Sequence, residues 1–501
     1  MSRLSQSVRL WAAVLAASAA SAISTSAAAN GRFPRAERLL EAPSKPQKLT
    51  LSATFGLLLS EDGGSSWRHV CEASFADTGL QTDPVIALAS DGVLLAGIYA
   101  SVARASPDAC DFQKTLGHSN REAVPDFTLA ASVPGRVLAV LVSLLEDGSS
   151  QNQLYRSDDD GKIWSTLGPT LPSSIRTVAT IDVAPSNAER VYVSGLDPDG
   201  AGVLLRSDDG GQTFEALAIP TDAAHDDVPY IAAVDPENAD AIYVRTDQWA
   251  FDPVQQVANA NDALLYSDDG GRHFTELLRR PGKLFGFTFS PDGTELLLGY
   301  GDPVEAGGGR LTDASALGIY RAPKGSNAFE KLYAGSVGCL TWTAQGLYVC
   351  TLEADTGFSL GLVTDTEFDL GAPADLQPLL RLQDVLGPLQ CGACTSGSIC
   401  RNYWESTCQS WGRTDCESLL PTQVDACAGA GGESGAGGAG AEGTVKPQTE
   451  PLAAGGGCSC RMEPRTQASA RWALGLTLVF ALRRRPQRDS SSSSARASFW
   501  R

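Results

Sequence analysis

The sequence predicts an all-β chain whose main body is a single β-propeller of about seven four-stranded blades, with six as the alternative count. Three observations carry this. One eight-residue pattern occurs four times in register, at Ser60, Ser157, Ser207 and Ser267. Worn copies start at Ser106 and Ala322, with another near Thr364, so successive starts differ by 42 to 60 residues, the length of one blade. The 51 Gly and 27 Pro among 501 residues, against two Met, suit many short strands and turns rather than long helices.

The pattern reads Ser-x-Asp-x-Gly-x-x-Trp/Phe. Its members are Ser60, Asp62, Gly64, Trp67; Ser157, Asp159, Gly161, Trp164; Ser207, Asp209, Gly211, Phe214; and Ser267, Asp269, Gly271, Phe274. Apolar runs such as Leu57-Leu58-Leu59 and Leu264-Leu265-Tyr266 precede it. Between copies, segments such as Ile181 to Pro185 followed by Val191-Tyr192-Val193 read as strand, turn, strand. A blade is therefore two strands, a loop, a third strand, the patterned turn and a fourth strand. Within the turn, Gly at the fifth position relieves the limit on positive φ, and the Asp and Ser oxygens accept turn amides. The aromatic residue packs into its own blade or a neighbour. The pattern lacks the ligand count and terminal Glu of an EF-hand loop.

These residues make the chain resemble the Asp-box, or bacterial neuraminidase, repeat family. The resemblance implies a sialidase-like propeller and raises the question of hydrolysis. Sialidase catalysis implies an arginine cluster and a Tyr–Glu nucleophile pair, its first arginine lying in a Phe/Tyr-Arg-Ile-Pro motif. Here the nearest string is Phe33-Pro34-Arg35, in the wrong order. Asp-box glucanases resemble two packed propellers, and this chain has room for one.

Around the propeller (44–388) the remaining chain divides by composition. Residues 1–29 read as a signal peptide, with Arg3 and Arg9, an apolar stretch from Leu10 to Ala20, and a cleavage site at Ala27-Ala28-Ala29. Residues 389–427 are Cys-rich, and the Gly/Ala-rich 428–457 read as a stalk. Residues 458–488 hold Cys458-Ser459-Cys460, an apolar segment at 472–482 and Arg483-Arg484-Arg485, and 489–501 form a polar tail expected to be disordered. The Arg cluster predicts a body outside the cytoplasm. This arrangement resembles the myxobacterial C-terminal sorting signal. The resemblance implies cleavage near Cys458 by a dedicated protease, lipid attachment to that cysteine, and an outer-membrane-associated, cell-surface or extracellular location. The tail departs from it by continuing past Asp489 through a serine run to Arg501.

In an exported protein paired cysteines are expected as disulfides. Cys71 and Cys110, at neighbouring blades, suggest one bridge, and Cys339 and Cys350 flank a hairpin and suggest another. Cys391, Cys394, Cys400, Cys408, Cys416 and Cys427 form a stapled module with fifteen possible connectivities. The Cys391-x-x-Cys394 spacing has no second pair and no nearby His, so neither zinc nor redox chemistry is expected there.

Net charge is −19, and because nine Arg face only Glu463 and Asp489 from Arg461 onward, residues 1–460 carry −26. So acidic a body repels phosphate backbones, which argues against nucleic acid as a partner. His69, His118, His225 and His273 are scattered, and no nucleophile elbow, phosphate loop or dinucleotide fingerprint is present. Trp249, Tyr300 and Trp342 are candidate sugar platforms, although core packing is the stronger expectation. No catalytic residue, cofactor or metal is assigned. The expectation is a non-catalytic surface propeller that binds an extracellular glycan or protein. The alternatives are an Asp-box glycoside hydrolase and an envelope assembly factor. Buried acid pairs on the central axis favour the hydrolase, and an aromatic or charged loop face favours binding.

Overall fold

The structure is a computed structural model that describes residues 35–421, apart from 43–44, 76–83, 99, 118, 120, 148, 222–227, 248–250, 253–256, 259, 303–310, 312 and 364–375. All of these residues belong to one compact unit, 1–430. The signal segment 1–29, the stalk 428–457, Cys458 with its sorting segment 458–488, the tail 489–501, Cys427, His118, His225, Trp249 and the turn near Thr364 lie outside the described residues. Among the described residues no helix is long and apolar enough to cross a membrane.

Seven antiparallel sheets follow one another along the chain, at 36–71, 85–116, 122–166, 177–218, 228–279, 283–334 and 337–380. Each is a four-stranded blade in sequence order, and the third gains a short extra strand at Glu122–Ala123. The first blade begins at Ala36–Ala42, earlier than the residue 44 expected from sequence, because an Arg- and Glu-containing stretch supplies its inner strand. The first strands of adjacent blades touch around the ring, except that blade 5 meets blade 6 through its second strand. Blade 7 closes on blade 1, where Thr341 Oγ1 donates to the Leu39 carbonyl at 3.2 Å. The fold is a closed seven-bladed β-propeller.

Burial explains the strand sequences. Second and third strands are sandwiched between blades, so Val191-Tyr192-Val193 and Val203-Leu204-Leu205 are buried without alternation. Outer strands such as Glu215–Ala218 are largely exposed. The core is correspondingly divided among the seams between blades. Leu154 and Leu205 meet between blades 3 and 4, Leu204 and Leu265 between 4 and 5, and Leu264 and Leu298 between 5 and 6.

The patterned turns join third to fourth strands in blades 1, 3, 4 and 5. In each, the Ser hydroxyl donates to the Asp carboxylate and accepts the Gly amide, as at Ser207 (2.7 Å to Asp209, 2.8 Å from Gly211). The Asp accepts the amide four residues on, at 2.8–3.0 Å. Gly211 has φ +94° and Gly271 φ +88°, in the region that disfavours side chains. A second constraint is packing. A Cβ on Gly271 would lie 2.3 Å from Leu204 Cδ2 of the preceding blade, and one on Gly211 2.5 Å from Leu154 Cδ2. The aromatic residues settle the direction of packing, since Trp67, Trp164, Phe214 and Phe274 each join the seam with the preceding blade. The worn turn at Ser106 keeps the serine bonds, its hydroxyl donating to Asp108 and accepting Cys110 N at 3.1 Å, but the amide four residues after Asp108, Phe112 N, goes to Ser396 Oγ instead.

The cysteines form Cys71–Cys400, Cys110–Cys391, Cys339–Cys350 and Cys408–Cys416, and Cys394 is also disulfide-bonded. The expected Cys71–Cys110 bridge is corrected. Cys71 ends a fourth strand whereas Cys110 sits in the turn that begins one, so the two occupy opposite ends of their strands. Each instead meets a cysteine of the C-terminal module.

Candidate functional site

Strand alternation places all the patterned turns on one face of the ring. The opposite face carries the connections between blades and between second and third strands. Between the second and third strands of blade 5 it carries a two-stranded ribbon of Phe251–Asp252 and Val257–Ala258. Along the channel the ring gathers charged side chains distant in sequence, from Asp247, Asp262 and Lys283 near this face to Asp182, which in register lies beside the patterned-turn end of blade 4. Arg38 lies on the first strand of blade 1, Asp126 just before that of blade 3, and Asp182 on that of blade 4. Tyr230, Arg245 and Asp247 come from blade 5, together with Asp262 just before its third strand, and Lys283 from blade 6.

Two subclusters result. In the first, burial pushes the Asp126 carboxyl up to about 7, helped by the Asp182 charge and opposed by the Ile181 amide and the Arg38 guanidinium. Burial likewise raises Asp182 to about 6, against a hydrogen bond from Thr128 and the Arg38 charge. Both aspartates retain partial solvent contact. In the second, Lys283 is 3% exposed and pairs with Asp247, and its Nζ lies 3.7 Å from Asp262 Oδ1. Asp247 is raised by burial but held low on balance by Lys283 and Arg245. Asp262 is fully buried, and that burial raises it despite Lys283. The Arg245 guanidinium stacks 4.5 Å above the Tyr230 ring.

These carboxyls also have structural employment. The inner strand of each blade is a sheet edge whose outward N–H groups need acceptors. Asp126 Oδ2 accepts Ile181 N of blade 4 at 2.9 Å, Thr180 Oγ1 accepts Ile231 N of blade 5 at 2.9 Å, and Asp262 Oδ2 accepts Leu284 N of blade 6 at 3.0 Å. One device thus stitches three successive seams, and Asp126 and Asp262 belong to it. Sequence reasoning missed all eight channel residues, because no spacing links them.

The residues singled out from sequence lie elsewhere. The sixteen turn residues are on the opposite face, with Asp62, Asp159, Asp209 and Asp269 engaged by turn groups. Asp269 is held well below the usual carboxylate range by the His273 amide and ring. Tyr300 is fully buried, its hydroxyl donating to the Asp262 carbonyl at 3.1 Å, so it is core and no sugar platform. Trp342 packs on the seam of blades 6 and 7. His69 is wholly buried and His273 exposed. Cys408, Asp415 and Cys416 converge as metal-type donors, but the two cysteines are bonded to each other.

No family model matches the chain, and no curated protein matches it. Solved structures do. An ancestral GH74 enzyme aligns at 13% identity with a TM-score of 0.46, over 66% of this chain and 46% of that one. The extracellular domain assigned to a one-component system of B. thetaiotaomicron aligns at 11% and 0.43, over 65% and 38%. The GH74 xyloglucanase from Xanthomonas campestris aligns at 15% and 0.24, over 65% and 54%. The chain therefore spans between 38% and 54% of these proteins. At such identities and TM-scores the likeness carries no conclusion about activity.

Proposed function

We propose that the chain is an exported surface propeller of the Asp-box repeat type that binds an extracellular glycan or protein without cleaving it, through the face opposite its patterned turns. The observation that carries this reading is the commitment of the channel carboxyls to the fold. Asp126 and Asp262 bond backbone amides of the next blade, and Asp247 holds the buried Lys283. A catalytic acid pair needs two carboxyls turned to substrate. The disulfides support export. The Cys458 tail supports display at the cell surface after processing by a sorting protease. A role as an envelope assembly factor would use the same face with a protein ligand.

One observation favours the hydrolase as a second reading. Asp126 and Asp182, raised to about 7 and about 6, hold a proton in the range where general acids work. A broad glycan array probed with the oxidised chain tests the binding proposal. Retention on a defined glycan class supports it. Silence on glycans together with capture of an envelope protein moves the ligand to protein, and failure of both overturns recognition as the function.

A further inference from the structure

After the last strand of blade 7 (Gln377–Leu380) the chain does not leave the ring. It runs along the outer strand of blade 1 (Arg68–Cys71) in a parallel bridge between Pro388 and His69. Leu386 N donates to the Trp67 carbonyl at 2.9 Å, His69 N to Gly387 at 2.9 Å, and Leu389 N to His69 at 2.8 Å. It then reaches blade 2, where Gly397 N donates to the Cys110 carbonyl at 2.8 Å and Phe112 N to Ser396 Oγ at 2.9 Å. The helix Cys400–Ser410 returns over blade 1 and buries Trp404 completely. Two disulfides fix these contacts across 329 and 281 residues of sequence, Cys71–Cys400 and Cys110–Cys391.

We propose that residues 381–421 are a redox-released strap, whose departure from blades 1 and 2 after reduction of these two disulfides uncovers the outer edge of blade 1 while the seven blades stay folded. The blades have their own cohesion. At the seam of blades 7 and 1, Leu39, Leu49, Leu58, Tyr348 and Leu360 pack together, and Thr341 bonds Leu39 directly. The strap's Val385, Trp404, Trp411 and Leu419 extend this same cluster outward, so their departure uncovers its outer side and leaves the blade-to-blade contacts in place. Access to the sulfurs is graded. Cys391 is partly exposed, whereas Cys71, Cys110 and Cys400 are buried, so the Cys110–Cys391 bond is attacked first.

The chemistry requires a dithiol reductant. Its thiolate attacks Cys391 Sγ, the Cys110 sulfur leaves and takes a proton, and the second reductant thiol closes a cyclic disulfide that frees Cys391 as a thiol. Each bond consumes two electrons and two protons. Repeated at Cys400 and Cys71, this leaves hydrogen bonds and apolar packing, of Val385, Leu389, Trp404 and Trp411 among others, to hold the strap. Release then exposes the His69 amide and the Trp67 and His69 carbonyls as an unpaired strand edge.

His69 supplies an internal reporter. Its ring lies against Phe55, Trp404 and Trp411 with centroids 5.8–6.0 Å away, and Nε2 donates to the Phe55 carbonyl at 3.0 Å. Nδ1 is buried with no hydrogen-bond partner. The arginines on the packed segments are engaged by backbone carbonyls, Arg68 by Pro388, Arg413 by Val385 and Arg401 by Pro421.

The test is hydrogen exchange by mass spectrometry on the full oxidised chain, before and after dithiothreitol, with alkylation counting the freed thiols. The expected result is a loss of protection of about tenfold or more at 386–420 and 67–71, with 177–183 and 191–196 unchanged. The Cys391→Ser/Cys400→Ser variant should show the same pattern without reductant. The His69 ring signal should then titrate near its ordinary value of about 6.5. Unchanged protection at 386–420 with all thiols freed, or loss of protection in every blade together, overturns the proposal.

Discussion

The glycine of the patterned turn answers to two constraints, and the blades separate them. Gly64 has φ +92° and Gly271 φ +88°, so a methyl group suffers about the same backbone penalty at either site, roughly 1–2 kcal/mol. Their surroundings differ. A Cβ on Gly64 finds its nearest neighbour, Trp67 Cζ2, at an ordinary 3.5 Å. One on Gly271 lies 2.3 Å from Leu204 Cδ2, a fully buried side chain of the preceding blade. Overpacking of this kind costs about 1–3 kcal/mol more. Gly271→Ala should therefore cost about 2–5 kcal/mol and Gly64→Ala about 1–2 kcal/mol. Urea unfolding of the oxidised chain, followed by calorimetry, reads the difference. A double-mutant cycle with Leu204→Ala isolates the seam, because removing the leucine relieves the clash and the double variant should be less damaged than the sum by about 1–3 kcal/mol. Equal costs at the two glycines with no coupling to Leu204 would refute the claim that these turns are fitted against the preceding blade.

Other predictions follow from single sites. Ser66 and Thr213 each donate a side-chain hydroxyl to the second oxygen of the turn Asp at 2.6 Å, but blade 3 has Ile163, 73% exposed, at that position. Ile163→Thr should raise stability by about 0.5–1 kcal/mol, and a fall in Tm would contradict the shared turn geometry. His69, depressed from 6.5 to about 4 by burial, gives an acid limb. The unfolded chain takes up this proton first, so stability is intact above 6.5 and is lost as pH falls to about 4, by about 3 kcal/mol in all. A denaturant midpoint independent of pH across that window counts against the buried His69. Asp126 acts in the opposite sense. Raised from 3.8 to about 7, it contributes stability below 3.8 that is lost as pH rises through about 7. Asp126→Asn keeps an acceptor for the Ile181 amide and removes the titration, so its advantage over the parent chain should grow from pH 5 to pH 8. An advantage constant with pH would show that this carboxyl does not titrate differently on folding.

What sequence reveals here follows from what repeats. The patterned turns are legible because Ser, Asp, Gly and an aromatic residue solve one local problem within eight positions, and their spacing gives the blade. The worn turn at Ser106 survives because its hydroxyl still bonds Asp108 and the Cys110 amide. Pairing of Cys339 with Cys350 was readable because both sit on one hairpin. The partners of Cys71 and Cys110 were not, since they depend on where a segment some 300 residues later docks. The channel cluster was invisible for a related reason. Asp126 and Asp182, and Asp262 and Lys283, share no motif, and only the packing of successive blades brings each pair together. In blade 3, Asp160 holds the left-handed position that Gly fills in blades 1, 4 and 5. Its carboxylate accepts both Ser90 N and Ser90 Oγ of blade 2, at 2.8 and 2.7 Å, a tertiary compensation that local pattern does not record.

The claim that the channel carboxyls hold blades together rather than cleave a substrate has one direct test. The oxidised chain is incubated with the glycans it retains, from pH 5 to pH 8, and their masses are followed over time beside those of Asp126→Asn and Asp182→Asn. The account predicts intact glycans throughout and no change in mass with either variant. Shortened glycans that persist as full-length chains when Asp126 or Asp182 is replaced would contradict it and make the pair the catalytic acid and base of a hydrolase.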